Sequence, residues 1–362
     1  MINPFKFLGN KFFPSYLGVD IGTTSIKIAE VKQGEQLPRM VNYGFLESRG
    51  HLLRSNDVLQ TSSLKLFEEE AMNLIKALVK EMKPATDQVL ASLPVFSAFM
   101  TVLNFPEMPP KDLDKAIALQ AGQYVPLPIS EVALDWIKVG EYKDDKGYKN
   151  QQILLISVAQ EQIRRYQRLF KSIGLNLRGL EIESLALIRA LVGTDPTPTA
   201  LVDIGSRSTN IVFVEDSQLK FGSQSDFASA SLTQALTSSL NINALRAEEL
   251  KRERGVSSAS PDYELSTIML PFLDVIINEV KKAEFNYHNQ FSNARKIERV
   301  ILSGGGANLI GIEKYFQREF LIPVIKASPL LKFEYPPSIE PLTAEVGPIL
   351  SVALGLTLRE FV

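Results

Sequence analysis

The stretch Leu17-Gly-Val-Asp-Ile-Gly-Thr-Thr-Ser-Ile-Lys-Ile28 recurs later in the chain as Ala200-Leu-Val-Asp-Ile-Gly-Ser-Arg-Ser-Thr-Asn-Ile211. The two copies are offset by 183 residues (20 to 203), which is about half of the 362-residue chain. Each copy consists of an apolar run, an Asp-Ile-Gly tripeptide and a second apolar run, and this pattern predicts a β-hairpin. The chain length predicts two domains or one bilobed fold, and the repeat favours the same organisation.

Small and hydroxyl-bearing residues form the tip of each predicted hairpin. Backbone N–H groups at such a tip can approach a phosphate closely, and a carboxylate at a strand end can hold Mg²⁺ through water. We therefore predict a nucleoside triphosphate site in which Asp20 and Asp203 face the metal and Lys27 reaches the phosphates as a point charge. One such tripeptide could be only a tight turn, but two copies favour a site. The other predicted nucleotide-binding residues at the tips are Gly22, Thr23, Thr24, Ser25, Gly205, Ser206, Arg207, Ser208, Thr209 and Asn210.

A third glycine-rich element lies in the sequence Arg299-Val-Ile-Leu-Ser-Gly-Gly-Gly-Ala-Asn308. An apolar strand leads into three glycines, and a helix is expected to begin near the asparagine. Glycines allow the backbone to approach a base, ribose or phosphate, and a helix N-terminus favours an anion. Close packing is the alternative explanation. The predicted ligand-binding residues here are Gly304, Gly305, Gly306 and Asn308.

Composition excludes several kinds of chemistry. Hydrophobic residues make up 45% of the chain and charged residues 22%, as is usual for a soluble globular protein. Cysteine is absent, which excludes disulfides, thiolate catalysis and Cys-based zinc sites and fits a reducing compartment. His51 and His288 are the two histidines, so a multi-histidine metal site is not expected. The net charge of −2 argues against a broad nucleic-acid surface, and no nucleic-acid partner is predicted.

No membrane-spanning segment is predicted. A spanning helix needs about 20 mostly apolar residues, and the apolar run Val346 to Leu358 is shorter. The N-terminal segment Met1 to Tyr16 interleaves phenylalanines with lysines and has no secretory signal pattern. It is expected to pack on its own domain, and weak contact with an anionic membrane surface or a partner is the alternative.

The segments Asp20–Lys27, Asp203–Asn210 and Ser303–Leu309 together resemble the two phosphate loops and the adenosine loop of the actin-like ATPase superfamily. That superfamily includes actin, sugar kinases, heat-shock chaperones, MreB and FtsA. The resemblance implies a two-lobed α/β fold of the ribonuclease-H-like type. Each lobe is expected to hold a mixed five-stranded sheet flanked by helices, with ATP and Mg²⁺ in the cleft.

Two further segments are similar to functional helices of that superfamily. Leu180–Leu187 is similar to the first connecting helix, which places Glu183 near the attacking water, although Ser184 stands where the superfamily usually has proline. The resemblance thereby assigns Glu183 and Asp203 to catalysis, and we expect any hydrolysis to be slow. Ala247–Lys251 resembles a Glu-x-x-Lys helix that touches adenosine, which implicates Glu248 and Lys251. A solvated helix face is the alternative for this pair.

A block of mixed strand and helix pattern in the first half carries a narrower resemblance. The segments Leu103–Met108, Ala118–Pro128 and Glu131–Asp135 are similar to the PilM family of type IV pilus assembly proteins and its FtsA-like relatives. FtsA has a C-terminal amphipathic membrane-binding helix, and this sequence stops at Arg359-Glu-Phe-Val362. That departure favours PilM.

The PilM resemblance implies a cytoplasmic ATP-binding scaffold that is recruited to the inner membrane through partners. Its expected partner is the cytoplasmic N-terminal segment of a PilN-like membrane protein, bound in a groove between the first lobe and the insertion. Other pilus assembly proteins and self-association are possible further contacts. Candidate groove residues are apolar, and an ordinary core position is the alternative for each: Phe96, Phe99, Met100 and Tyr124.

Two alternative functions stay open at this point. One is an FtsA-like filament-forming protein, and the other is a small-molecule kinase of the same fold. The predicted domain organisation is common to all three: an N-terminal tail at 1–15, a first lobe at 16–83 and 160–198, an α+β insertion at 84–159, a second lobe at 199–215 and 299–362, and its smaller subdomain at 216–298.

Overall fold

The structure is a computed structural model that describes residues 15–48, 68–256, 263–291 and 294–361. The predicted N-terminal tail, except for Ser15, lies outside the described residues, and so does His51. In chain order the elements are β1 (Ser15–Ile21), β2 (Ser25–Lys32), β3 (Arg39–Glu47), α1 (Glu68–Met82), β4 (Gln88–Leu93), β5 (Ala98–Pro106), α2 (Pro110–Tyr124), β6 (Val132–Lys143), β7 (Lys149–Ala159), α3 (Gln160–Ser172), β8 (Asn176–Ile182), α4 (Glu183–Leu191), β9 (Thr199–Ile204), β10 (Thr209–Glu215), β11 (Gln218–Ser225), α5 (Ser229–Leu240), α6 (Ala244–Arg254), α7 (Tyr263–Gln290), β12 (Arg299–Ser303), α8 (Ile312–Phe320), β13 (Val324–Lys326) and α9 (Thr343–Leu358).

Both repeated segments fold as the predicted hairpins. β1 pairs antiparallel with β2, and Asp20 lies directly opposite Lys27. β9 pairs antiparallel with β10, and Asp203 lies directly opposite Asn210. Because the register is the same in both copies, equivalent residues of the repeat occupy equivalent places in the two lobes.

Each hairpin belongs to a five-stranded sheet with the same architecture. The strand orders are β3-β2-β1-β4-β8 and β11-β10-β9-β12-β13. In each sheet the first three strands of this order pair antiparallel with one another. The last two run parallel to the third strand, which is β1 in one sheet and β9 in the other. The predicted two-lobed α/β fold with two mixed five-stranded sheets is therefore confirmed.

The insertion is a three-stranded sheet with the order β5-β7-β6, covered on one face by α2. It begins later than the sequence indicated. β4 pairs in parallel with β1 and β8, so it belongs to the first-lobe sheet, although the boundary predicted at residue 84 placed it in the insertion. Every residue of β4 is buried, and an apolar strand pattern does not tell which sheet a strand joins.

Helix α9 joins the two lobes. A Cβ atom at Gly18 of β1 would lie 1.9 Å from the Ala353 carbonyl oxygen, and one at Gly355 would lie 2.0 Å from the Ala186 carbonyl oxygen. The glycines thus let α9 lie directly on β1 and α4 of the first lobe. At the other end, the Pro348 carbonyl accepts a hydrogen bond of 3.0 Å from the Gly304 N–H of the second lobe. The domain division had assigned this helix to the second lobe, whereas its body packs on the first.

The C-terminal apolar stretch is longer than the sequence indicated. The segment Pro337–Leu358 has 22 residues and is long and apolar enough to cross a membrane. However, 67% of its most apolar window is buried inside the protein. This burial is typical of the core helix of a globular fold, and the contacts of α9 with both lobes account for its apolar composition.

Candidate functional site

The first repeated turn holds a mostly buried ion pair. The Gly22 N–H donates to the Ser25 carbonyl at 2.8 Å and closes the turn. Asp20, at the end of β1, accepts a hydrogen bond of 2.9 Å from Lys27 Nζ on one carboxylate oxygen. Its other oxygen accepts one of 2.8 Å from the Ser92 hydroxyl of β4. The carboxylate is therefore fixed from both sides, directly below the turn.

Lys27 lies among three carboxylates that come from both lobes. Burial lowers the pKa of its ammonium group, but the charges of Asp20, Asp203 and Glu183 and the hydrogen bond to Asp20 outweigh burial, and the pKa is raised above its ordinary value. The lysine is consequently a fixed cation at neutral pH. A cation held at the junction of two turns is suited to bind a polyanion such as a triphosphate.

The second turn has the same closure and an added support. The Gly205 N–H donates to the Ser208 carbonyl at 3.0 Å. The first backbone N–H groups of α5 bind this loop, because Ser229 N–H donates to the Gly205 carbonyl at 3.2 Å and Ala230 N–H donates to the Ser206 carbonyl at 2.7 Å. The N-terminus of α5 thus holds the loop in place.

Asn210 occupies the position in the second copy that Lys27 occupies in the first. Its Nδ2 donates to the Ser184 hydroxyl at 3.3 Å, which links the second lobe to the start of α4. Its Oδ1 is buried and has no hydrogen-bond partner among the described residues. The serine that replaces the expected proline therefore serves as an acceptor, and the free amide oxygen leaves a place for a water or ligand donor. The neighbouring Glu183 is also buried, at the first position of α4.

The third loop packs tightly against the second turn at two of its three glycines. Gly304 has a φ of +79°, and a Cβ there would lie 2.4 Å from the Ile204 carbonyl oxygen and 2.9 Å from Asp203 Oδ1. A Cβ at Gly306 would lie 2.4 Å from Ile204 Cγ2. At Gly305 no described atom lies within 4 Å of the Cβ position. The two outer glycines therefore fix the loop, and the middle one borders open space that a ligand can fill.

Glu248 and Lys251 of α6 form a network with α5. Lys251 Nζ donates to Glu248 Oε2 at 2.6 Å, to the Ser229 hydroxyl at 2.7 Å and to the Thr233 hydroxyl at 2.9 Å. Burial raises the pKa of Glu248, but Lys251, Thr233 and Arg252 outweigh it and lower the pKa to about 2. In this arrangement the pair fixes α6 to the helix that holds the second turn.

Arg252 extends this network across the cleft. Its guanidinium binds Glu248 at 2.8 Å and the Glu47 carboxylate of β3 at 3.1 Å. Ser48, the residue directly after β3, donates its N–H to the Thr24 carbonyl in the first turn at 2.8 Å. A chain of polar contacts therefore connects the two turns at the mouth of the cleft.

The remaining predicted site residues differ in burial and in hydrogen-bond partners. Arg207 is buried within the second turn, and the Thr209 hydroxyl donates to the Phe227 carbonyl at 2.7 Å. Asn308 donates from Nδ2 to the Glu345 carbonyl at 2.8 Å, so it anchors the third loop to α9. Sequence reasoning missed Ser92 and Tyr166. Ser92 is a fully buried polar residue in an apolar strand, whereas Tyr166 of α3 has a buried hydroxyl with no partner in the described part of the chain and a pKa raised by burial and by Glu183 and Asp20.

A groove of about 220 Å³ lies between the first lobe and the insertion. Its walls come from β6 and β8, which are the outermost strands of their two sheets. Its lining is mainly apolar and includes Leu93, Trp136, Ile137, Ile156, Leu180 and Leu185.

None of the four residues proposed from the sequence lines this groove. Phe99 packs with α2 on the far face of the inserted sheet, and Met100 lies near Gly222 of the second lobe. Phe96 and Tyr124 are exposed over 43% and 46% of their surface, respectively.

The site fits a phosphorylated nucleotide by its cation, its two short turns and its open glycine loop. Among the residues that the structure describes, no group of three His, Asp or Glu side chains is arranged to hold a metal ion directly. The expectation for Mg²⁺ was contact with Asp20 and Asp203 through water, and it stays a prediction.

Comparison with known proteins identifies relatives of the whole chain. The sequence model of the family described as "Type IV pilus assembly protein PilM" matches residues 18–361. The structure is similar to a protein in a solved structure entitled "PilM-PilN type IV pilus biogenesis complex", at 22% identity over 95% of this chain and 98% of that chain, with a TM-score of 0.79.

Two other solved structures share the fold at greater distance. The ethanolamine utilization protein EutJ from Carboxydothermus hydrogenoformans is 17% identical over 97% of this chain and 92% of its own, with a TM-score of 0.56. MreB5 of Spiroplasma citri bound to AMPPNP is 13% identical over 97% of each chain, with a TM-score of 0.56. At such identities these likenesses establish the actin-like fold alone.

Proposed function

The chain belongs to the family of the type IV pilus assembly protein PilM, and from this premise we propose that it is a cytoplasmic ATP-binding scaffold whose nucleotide state modulates the binding of a membrane partner. The partner is the cytoplasmic N-terminal segment of a PilN-like inner-membrane protein. Binding to that segment recruits the scaffold to the membrane.

The position of Lys27 carries the nucleotide part of the proposal. Its ammonium responds to Asp20, Asp203 and Glu183, so the two repeated turns and the start of α4 face one point. A triphosphate bound there would receive backbone N–H groups from both turns and the charge of Lys27. The open space at Gly305 supports the placement of the nucleoside at the third loop.

Bound ATP with Mg²⁺ would supply phosphoryl chemistry, and three carboxylates would serve it. Asp20 and Asp203 would hold the metal through water, and Glu183 would orient a water molecule for slow hydrolysis. Lys27 also stabilises Asp20 by the ion pair of 2.9 Å. The relative MreB5 has a solved structure with AMPPNP, which supports nucleotide binding by this fold.

The groove between β6 and β8 supports the partner part of the proposal. It is mainly apolar, it lies between the first lobe and the insertion, and each of its walls is an edge strand whose backbone groups can pair with an extended peptide. The related protein of known structure was solved as a PilM-PilN complex. A short extended segment with apolar side chains fits such a groove.

Calorimetry with two ligands tests the proposal. ATP with Mg²⁺ and a synthetic peptide copying the cytoplasmic N-terminus of the PilN-like protein are titrated separately and together. We expect each to bind once per chain and ATP to change the peptide Kd by at least about five-fold.

A groove variant and a surface variant identify the peptide site. Ile137→Asp places a charge in the groove wall and is expected to weaken peptide binding at least about ten-fold without changing ATP binding. Leu119→Asp alters the same insertion at a residue that is 84% exposed and serves as the control. Unchanged peptide affinity in Ile137→Asp would show that the peptide does not bind in this groove.

A further inference from the structure

Strand β6 borders two separate cavities. Its residues Asp135, Trp136 and Ile137 line the groove of about 220 Å³ beside the first lobe. Further along the strand, Lys138, Gly140, Glu141 and Tyr142 line a second cavity of about 610 Å³ that faces β11 and the end of α7 in the second lobe. One strand therefore forms a wall of the proposed partner groove and also faces the lobe that carries the second turn.

A β-bulge lies in β6 between these two regions. The pairing with β7 shifts between Lys138 and Gly140, so Val139 is the extra residue. A bulge bends its strand and turns a backbone group out of the regular ladder. Here the Val139 carbonyl accepts a hydrogen bond from Lys220 Nζ of β11. The valine side chain is fully buried and belongs to the same apolar cluster as Leu219 of β11.

The position next to the bulge is shaped to admit the lysine. A Cβ at Gly140 would lie 3.3 Å from Lys220 Nζ and 2.5 Å from Gln152 Oε1. Lys220 also donates to the Gln218 side chain at 3.3 Å. The contact thus joins a lysine of the second lobe to a bulge carbonyl of the insertion, beside a glycine that leaves room for the ammonium group.

We propose that the contact between Lys220 and the Val139 carbonyl transmits movements of the second lobe to the partner groove. This inference rests on the proposed function, because it names the route by which the nucleotide cleft and the peptide groove are coupled. When the lobes change their separation, β11 carries Lys220 with it and displaces β6 at the bulge. The groove wall at Ile137 is two residues away on the same strand, so its spacing from β8 changes.

Hydrogen exchange without ligands tests the contact itself. Lys220→Met keeps an unbranched side chain that is one atom shorter and removes its donor. We expect it to increase exchange of the β6 amides in residues 132–138 at least about five-fold, because the strand loses its support at the bulge. Lys149→Gln, in the neighbouring strand of the same sheet, removes an exposed lysine paired with Glu107 and should leave exchange there unchanged. Equal exchange in Lys220→Met and the wild type would overturn the inference, whatever the ligands do.

Peptide titrations with and without ATP test the coupling. In the wild type we expect ATP to change the peptide Kd at least about five-fold. In Lys220→Met we expect ATP to change the peptide Kd less than about two-fold, while the affinity for ATP itself is retained. Gly140→Ala disturbs the same contact from the insertion and is expected to give the same loss of coupling. Full coupling in both variants would overturn the inference and leave the proposed function standing. A wild type that binds both ligands without coupling would overturn the inference and the nucleotide-modulation part of the proposed function.

Discussion

The two repeated turns have the same fold and different electrostatics. Both are closed by a glycine N–H that donates to a serine carbonyl, at 2.8 Å in the first and 3.0 Å in the second. In the first turn Asp20 faces Lys27 and forms an ion pair. In the second, Asp203 faces Asn210, a neutral amide that binds Ser184 instead.

This difference indicates a division of roles between two copies of one hairpin. The first copy supplies Lys27, whose charge is balanced by carboxylates from both lobes. The second copy supplies a carboxylate without a lysine in its own hairpin, and α5 holds its loop. Two identical copies would carry either lysine or asparagine at both positions, whereas this chain combines a lysine in one hairpin with a neutral amide in the other.

Making the first turn like the second should have the largest effect. Lys27→Asn leaves Asp20 buried beside Ser92 without its cation, and breaking a mostly buried pair costs about 3 kcal/mol in the free energy of unfolding. ATP affinity should fall about 10- to 100-fold, because one charged hydrogen bond to phosphate is lost. Urea denaturation and calorimetry measure the two quantities. Lys32→Asn, at the exposed end of the same strand, is the control, and equal losses in both variants would refute the special role of Lys27.

The network that supports the second turn should respond to acid. The folded-state pKa of Glu248 is about 2, below its ordinary value of 4.5, so the carboxylate stabilises the fold above pH 4.5 and that stabilisation is lost as the pH falls towards 2. After allowance for partial exposure, we expect about 2 kcal/mol between these limits.

Comparison of two neighbouring variants isolates the contribution of Glu248 to the pH dependence of stability. Glu248→Gln should flatten the pH dependence of urea unfolding in that window. Glu249→Gln removes an exposed partner of Arg246 and should preserve the wild-type slope. A slope in Glu248→Gln equal to that of the wild type would show that another group titrates.

Removing the amide of the second turn should cost less than removing the lysine of the first. Asn210→Ala breaks a neutral hydrogen bond to Ser184 and is expected to lower the free energy of unfolding by about 1 kcal/mol. A double-mutant cycle with Ser184→Ala measures the pair directly. A cost for Asn210→Ala equal to that for Lys27→Asn would mean that the two positions are energetically equivalent, contrary to their different partners.

The bridge between the turns should have the smallest effect. Arg252 and Glu47 are 61% and 46% exposed, so their ion pair of 3.1 Å is expected to contribute about 0.5 kcal/mol or less. Glu47→Gln should therefore change the urea midpoint only slightly, and added salt should remove the difference. A loss several times larger would assign the bridge a structural role in closing the cleft.

The sequence predicted the site's framework because the framework lies in local motifs. The hairpins follow from an apolar-turn-apolar pattern, and Asp20, Lys27 and Gly205 lie within a few residues of each turn. Ser92 was not predictable, because it comes from a distant buried strand and reaches Asp20 only through sheet pairing. The four candidate residues do not line the groove between β6 and β8, and the residues that line it were not predictable for the same reason. Trp136 of β6 and Leu180 of β8 line this groove from two different sheets, and no short-range pattern identifies edge strands that face each other.

Titration of ATP with Mg²⁺ into the wild type, Gly22→Ala and Gly205→Ala tests the central claim that both turns form one site. A Cβ at Gly22 would lie 2.7 Å from Lys27 Nζ and 2.9 Å from the Ser25 carbonyl oxygen, and one at Gly205 would lie 2.9 Å from the Ser208 carbonyl oxygen. The same substitution therefore disturbs both turns. We predict one ATP per wild-type chain and at least about ten-fold weaker binding in each variant. A folded wild type that binds no ATP, or either variant binding as tightly as the wild type, would contradict it.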